Sequence, residues 1–287
     1  MLTVSGATRV VGIIGYPVKH SLSPAMQNAA FAACNLDYVY VPFAVAPGKL
    51  EECVSGLRFL GLCGFNVTIP HKTEIIRYLD VLDKSAEDAG AVNTVLIDND
   101  GKMIGYNTDG DGLVCSLAED LDFVPSDGTI VIIGAGGAAR GAVAALCRAE
   151  AKRIVIVNRT VEKASVLKAD MISRYPDVSI EYVQTEELSA KYLPGTSLIV
   201  NTTSVGMNGD RIEFLNLAML PKSAKVYDMV YSPLITPLIH EASGMGLMVS
   251  NGLGMLAAQG ERAFNIWTGK TPPKGLMKLF LNGICCS

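Results

Sequence analysis

Residues Gly134-Ala135-Gly136-Gly137-Ala138-Ala139 have the spacing G-x-G-x-x-A, directly after an apolar strand-like run at 129–133 and at the start of a helix-like one. That is the context of a dinucleotide-binding fingerprint. Gly134 would permit the tight turn, Gly136 the approach of backbone to a pyrophosphate and Ala139 close packing of helix on strand, with the helix's first N–H groups facing the anion. A Gly-rich turn that binds nothing has the same composition. The next apolar run, 153–157, ends in Asn158-Arg159-Thr160. An NAD site would carry Asp or Glu at such a strand end for the ribose 2′-hydroxyl. Here no acid is present, and Arg159, with Thr160 and Lys163 nearby, offers a guanidinium fork for a 2′-phosphate. NADP is favoured over a merely solvated basic loop.

A nicotinamide cofactor moves hydride, so a side chain must handle the proton on the substrate oxygen. Lys72 and Asp109 are the best candidates, each in a polar cluster at the end of an expected strand. A lysine, with a reference pKa of about 10.4, works near neutrality only if its surroundings tune it. Burial favours the neutral amine and an adjacent carboxylate the ammonium. An ordinary surface lysine and an Asp capping a helix would show the same residue types. Metal chemistry is not indicated: the histidines His20, His71 and His240 form no i, i+4 pair, and the cysteines have no C-x-x-C spacing.

The elements that must position these groups alternate. Strands are expected at 9–14, 37–45 and 64–68, with helices at 24–35, capped by Ser23, and at 49–60. A helical region through Ala89, a hairpin of 93–97 with 102–106 about the turn Asn99-Asp100-Gly101, and a helix over 110–121 follow. Beyond the fingerprint strand, further strands are expected at 153–157, 178–183, 197–201, 225–230 and 247–249, and helices at 256–267 and 275–281. The alternation predicts an α/β fold with mostly parallel sheets, and polar groups at the carboxyl ends of such strands are where ligands bind.

The length of 287 residues suggests two domains, and a net charge of −4 offers no basic field for nucleic acid. Seven scattered cysteines, including the adjacent Cys285 and Cys286, argue against a disulfide framework. The longest uncharged span, 242–260, contains five glycines with Ser243, Ser250, Asn251 and Gln259, poor material for a membrane helix. No secretory signal is visible, so a cytoplasmic protein is expected.

With those residues identified, Ser21-Leu22-Ser23-Pro24, Asn66-Val67-Thr68-x-Pro70-x-Lys72, Gly90-Ala91-x-Asn93-Thr94, Gly105-x-Asn107-Thr108-Asp109-Gly110, the glycine loop, Asn158-Arg159-Thr160, Asp228-Met229-x-Tyr231 and Gly252-x-Gly254-Met255-x-x-x-Gln259-Gly260 together resemble the shikimate dehydrogenase family. The matches run in order along nearly the whole chain. The resemblance implies reversible NADP-dependent reduction of 3-dehydroshikimate to shikimate, in aromatic amino-acid biosynthesis, with Lys72 and Asp109 as the catalytic pair. It implies substrate contacts at Ser21, Ser23, Asn66, Thr68, Asn93 and Gln259, with Tyr231 close by. Hydroxyls and amides of this kind can satisfy a small polyol acid. Cofactor contacts carry over to Gly134, Ala135, Gly136, Gly137, Ala138, Asn158, Arg159, Thr160, Lys163, Thr203, Ser204, Met229 and Gly252. The family commonly has a second basic residue at the Lys163 position; lysine keeps the charge without the fork.

The implied architecture is a discontinuous α/β substrate domain, 1–108 and 252–287, and a Rossmann-type doubly wound NADP domain, 109–251, with a cleft able to close on substrate. A homodimer is compatible with it. Three other readings stand beside this one. A quinate/shikimate dehydrogenase using NAD or NADP resembles the same family; Arg159 argues against NAD, and Ser23 suits shikimate where some quinate-using relatives have Thr. A non-catalytic dinucleotide-binding protein would have no need of Lys72, Asp109 and both serines. A methyltransferase would have no need of Arg159.

Overall fold

The structure is a computed structural model describing residues 4–285. Of the Cys285-Cys286 pair, Cys286 lies outside the described residues. The chain divides into two compact units, one holding residues up to Gly112 and from Leu256 on, the other Leu113–Met255.

The first unit is built on six strands, β1 (Arg9–Gly15), β2 (Tyr38–Ala44), β3 (Gly64–Val67), β4 (Val81–Leu82), β5 (Thr94–Ile97) and β6 (Met103–Tyr106). They lie in the order β2-β1-β3-β5-β6-β4. β1 runs parallel to β2 and β3, whereas β5 is antiparallel to both β3 and β6, forming the expected hairpin. Helices α1 (Ser23–Ala33), α2 (Leu50–Phe59) and α3 (Lys84–Ala89) belong to this unit, and α4 (Asp109–Leu121) begins in it. Its core joins Ile14, Leu57, Phe65, Val67, Ile75 and Val95, all buried, and burial of each such side chain contributes roughly 1.5–3 kcal/mol.

Two local expectations are corrected. The segment leading to Ala89 is not one helix: a 3₁₀ turn at Glu74–Tyr78 is followed by β4, which pairs with Ile104 and Gly105 of β6. The carboxylate of Asp83 then caps α3 by accepting from Ser85 N at 2.9 Å. Ser23 does not cap α1 either. Leu22 occupies the cap position without a side-chain bond, and Ser23 is the first helical residue, its N–H donating to Ser21 Oγ at 3.3 Å.

The second unit is built on β7 (Thr129–Ile133), β8 (Arg153–Val157), β9 (Ser179–Val183), β10 (Thr196–Asn201), β11 (Lys225–Asp228) and β12 (Met248–Asn251), all parallel. Helices α5 (Gly137–Arg148), α6 (Val161–Arg174), α7 (Leu188–Tyr192) and α8 (Pro237–Gly244) connect them, and the chain returns to the first unit through α9 (Leu253–Thr268) and α10 (Leu276–Cys285). The order β12-β11-β10-β7-β8-β9 is the doubly wound arrangement, with its reversal between β7 and β10. β-Branched runs such as Thr129-Ile130-Val131-Ile132-Ile133 are buried on both faces, as central parallel strands require. β11 ends at Asp228, two residues short of expectation, because the Asp228 side chain turns back to accept from Val230 N at 3.0 Å. No helix among the described residues is long and apolar enough to cross a membrane.

Candidate active site

In the first unit the carboxyl ends of β3 and β6 bring together residues far apart in sequence. Lys72, in the loop after β3, donates from Nζ to Asp109 Oδ2 at 2.5 Å, with the two side chains 19% and 13% exposed. Lys72 is held from its backbone as well, since Val92 N donates to its carbonyl at 2.7 Å. Asp109 opens α4, and its other oxygen accepts from Asn93 Nδ2 at 2.7 Å. The carboxylate is thereby fixed on both sides, and the ammonium is aimed by it.

Behind this pair lies a buried polar network. Asn93 Nδ2 also donates to Thr108 Oγ1 at 2.9 Å, and Thr108 N donates to Asn93 Oδ1 at 2.8 Å. Asn66 donates to the carbonyl of Asn93 at 3.0 Å and to Thr94 Oγ1 at 2.9 Å, and accepts from the Tyr40 hydroxyl at 2.7 Å. Burial pushes the Tyr40 phenol well above its ordinary pKa, partly offset by a bond with Ser23, so it stays a neutral donor. Asn66 and Asn93 thus spend their amide donors inside the protein. Such saturated networks fix side-chain positions because any displacement strands a buried polar group.

Ser21 and Thr68 are half-buried near the amino end of α1 and just beyond β3, and Ser23 is buried. Thr68 N donates to Ile14 O at 2.9 Å. Its methyl leaves no space at Gly15, where an added Cβ would lie 2.2 Å from Thr68 Cγ2. Gln259, on the first-unit part of α9, is buried with Nε2 donating to Leu256 O at 2.8 Å. Ser21, Ser23, Asn66, Thr68, Lys72, Asn93, Asp109 and Gln259 therefore all belong to the first unit, whereas Tyr231 belongs to the second.

The second unit carries the glycine loop at its switch point. Gly134 has φ +115° and packs under Thr202, and Gly136 is the N-cap of α5 with no side-chain capping bond. A Cβ on Gly136 would meet no protein atom within 4 Å, so there is open space beside the amino end of this 12-residue helix. This cradle fits a pyrophosphate. At the end of β8, Asn158 Nδ2 closes the turn on Thr160 O at 2.7 Å, while Arg159, Thr160 and Lys163 are exposed. Thr203 is tied inward, donating to Asn201 Oδ1 at 2.7 Å, with Ser204 exposed beside it. Met229 is half-buried, and Gly252 lies so close beneath it that a Cβ would sit 2.1 Å from Met229 O. Ala135, Gly137 and Ala138 complete the loop, each half-buried.

Tyr40, Thr94 and Thr108 were not singled out by reading the sequence. The signal available was weak: a tyrosine alternating inward on β2, and threonines inside motifs whose roles pass to their neighbours. No group of three or more His, Cys, Asp or Glu able to hold a metal occurs among the described residues.

A doubly wound parallel sheet with an uncapped glycine turn at its switch point puts the chain in the class of dinucleotide-binding α/β proteins. The family models narrow the class. That for the shikimate dehydrogenase substrate binding domain matches residues 13–95, that for shikimate/quinate 5-dehydrogenase residues 117–208, and that for the shikimate 5′-dehydrogenase C-terminal domain residues 252–278. The chain is 51% identical over 278 residues to a shikimate dehydrogenase (NADP(+)) of Geobacter sp. (strain M21), covering 96% of each chain. It is similar to a crystal structure of a shikimate dehydrogenase in complex with NADP+, with a TM-score of 0.90 and 42% identity, covering 99% of this chain and 98% of that one. It is also similar to a shikimate 5-dehydrogenase from Listeria monocytogenes in complex with shikimate and NAD, with a TM-score of 0.89 and 37% identity, covering 97% and 98%. The chain belongs to the shikimate dehydrogenase family.

Proposed function

We propose that this protein catalyses the reversible NADP-dependent reduction of 3-dehydroshikimate to shikimate, a step of aromatic amino-acid biosynthesis. The observation that carries the chemistry is the Lys72–Asp109 pair, fixed by Asn93 at the strand ends of the first unit. That unit holds the substrate and the second unit holds NADP. When bound, NADPH supplies the hydride for the C3 carbonyl carbon. Lys72 Nζ donates the proton to the carbonyl oxygen as it gains negative charge, and Asp109 holds the ammonium in line. In the reverse direction Lys72 accepts the hydroxyl proton.

Ser21, Ser23, Thr68 and Gln259 contact the substrate's carboxylate and hydroxyls, with Tyr231 contributing from the second unit. Asn66 and Asn93 contact the substrate as well, and their amide donors hold Thr94, Thr108 and Asp109 in place. Gly134 to Ala138 hold the pyrophosphate, Arg159, Thr160 and Lys163 the 2′-phosphate, and Thr203, Ser204, Met229 and Gly252 border the nicotinamide. A cytoplasmic setting and a homodimer belong to the same reading; light scattering on the purified protein tests the second.

The experiment that tests the function is absorbance at the reduced-nicotinamide band with shikimate or quinate against NADP or NAD, in all four combinations. Rapid turnover confined to shikimate with NADP is expected. The Listeria relative's NAD favours a second reading, a dehydrogenase accepting NAD, and turnover of quinate with NAD would establish it in place of the first. Silence in all four with NADP still bound would leave only a binding protein.

A further inference from the structure

At the carboxyl ends of β10 and β11, within the second unit, two fully buried side chains meet in a closed set of hydrogen bonds. Asp228 Oδ1 accepts from Asn201 Nδ2 at 2.9 Å and from Val230 N at 3.0 Å, and Oδ2 accepts from Thr236 Oγ1 at 2.6 Å. Asn201 in turn donates to Val205 O at 3.1 Å and accepts from Thr203 N at 3.0 Å and Thr203 Oγ1 at 2.7 Å. The amide of Asn201 therefore has every donor and acceptor position filled.

We infer that Asp228, acting through Asn201 and Thr236, is a positioning residue that sets the nicotinamide-side wall of the cofactor site. The proposal rests on reading this unit as the NADP site. Its basis is where the bonds lead. Asn201 shapes the loop that carries Thr203 and Ser204, and Val230 N holds the backbone immediately after Met229. Thr236 caps α8, accepting from Ile239 N at 3.3 Å, and so closes the far end of the loop that contains Tyr231. Gly206, at φ +105°, lets the first loop lie against this cluster, since an added Cβ would meet Thr236 Cβ at 3.2 Å.

None of these bonds reaches the glycine loop or the turn at Arg159. A carboxylate taken from water must be repaid by several donors, and three are present here, so burial raises the Asp228 pKa while its three partners pull the other way. Two loops are thereby tied to one carboxylate. Rigid placement of this kind matters for a cofactor ring that must present one face to the substrate.

Asp228→Asn keeps the size of the side chain and tests this. Its amide must put Nδ2 toward Thr236, because Oδ1 faces two donors, so the Thr236 hydroxyl loses the acceptor to which it donates at 2.6 Å. Calorimetric titration with NADP+ and with adenosine 2′,5′-bisphosphate, which lacks the nicotinamide half, separates the two ends of the site. In D228N the affinity for NADP+ is expected to fall about tenfold or more, as loss of a charge-assisted bond would give, with kcat also reduced. Affinity for adenosine 2′,5′-bisphosphate should stay within about twofold. Thr236→Val, which removes one donor and leaves the carboxylate, should show the same split in smaller measure and serves if D228N does not fold.

Wild-type behaviour in both variants would overturn the proposal. So would parallel weakening of both ligands, which is the signature of general loosening of the unit. If the wild-type protein binds neither ligand, the NADP reading of this unit falls first and the inference with it.

Discussion

Gly134 and Thr202 sit at the exits of adjacent strands β7 and β10, and the Thr202 hydroxyl donates to Ile133 O at 2.7 Å, immediately before the glycine. A Cβ on Gly134 would lie 2.5 Å from Thr202 Oγ1, at a φ of +115° that other residues rarely adopt. Both effects oppose substitution: the backbone conformation alone costs about 1–3 kcal/mol. Gly134→Ala is therefore expected to lower the unfolding free energy by at least that much and to abolish measurable NADP binding, as read by urea unfolding and calorimetry.

Arg159 stands exposed at the end of β8, where the 2′-phosphate is expected. A charge-assisted bond contributes about 1.5–3 kcal/mol, or roughly 10- to 150-fold in affinity. Arg159→Ala should raise KM for NADP by that factor while leaving whatever activity the protein has with NAD nearly unchanged. Equal losses with both cofactors would remove Arg159 from that role.

Asp80 tests electrostatics away from the site. The Met103 N–H, at 2.7 Å, and then the Arg58 guanidinium, at 2.8 Å, hold its carboxyl below the ordinary value of 3.8. A lowered folded-state pKa gives stability that is present above the unfolded value and is lost as pH falls through the folded one. Both partners are 37% exposed, so solvent screening limits the effect to about 0.5–1 kcal/mol. Asp80→Asn should cost that much at pH 7, and the difference should close in urea titrations as pH falls below 3.8 and through the lowered folded-state value.

The cysteines should divide by burial. Burial pushes the Cys147 thiol up to about 12, leaving almost no thiolate, whereas Cys115 is exposed on α4. Peptide mass spectrometry after brief iodoacetamide treatment of the native protein should find Cys115 modified and Cys147 intact. Unfolding in urea should make the two equal.

Much of this was legible beforehand because it is local. The glycine loop, the apolar runs of β7 and β8 and the hairpin of β5 and β6 carry their own turn and period signals. β4 was hidden because a two-residue strand has no period, and its partners Ile104 and Gly105 are remote in sequence. Ser23 reads as a cap from residue type, yet Leu22 takes that position and Ser23 is buried as the first helical residue. The Lys72 and Asp109 types could be picked out, but not their contact, which depends on β3, β5 and β6 pairing in one sheet. The bonds joining Tyr40 to Asn66 and Asn201 to Asp228 span 26 and 27 residues, and nothing at either end announces the other.

The most direct test of the central claim is steady-state kinetics of Lys72→Ala with shikimate and NADP. If Lys72 handles the proton in the transition state, kcat should fall about 10²- to 10⁴-fold while KM for shikimate changes less than about tenfold. A K72A enzyme with near-normal kcat and a KM raised by the full loss would contradict the account, making Lys72 a binding residue only.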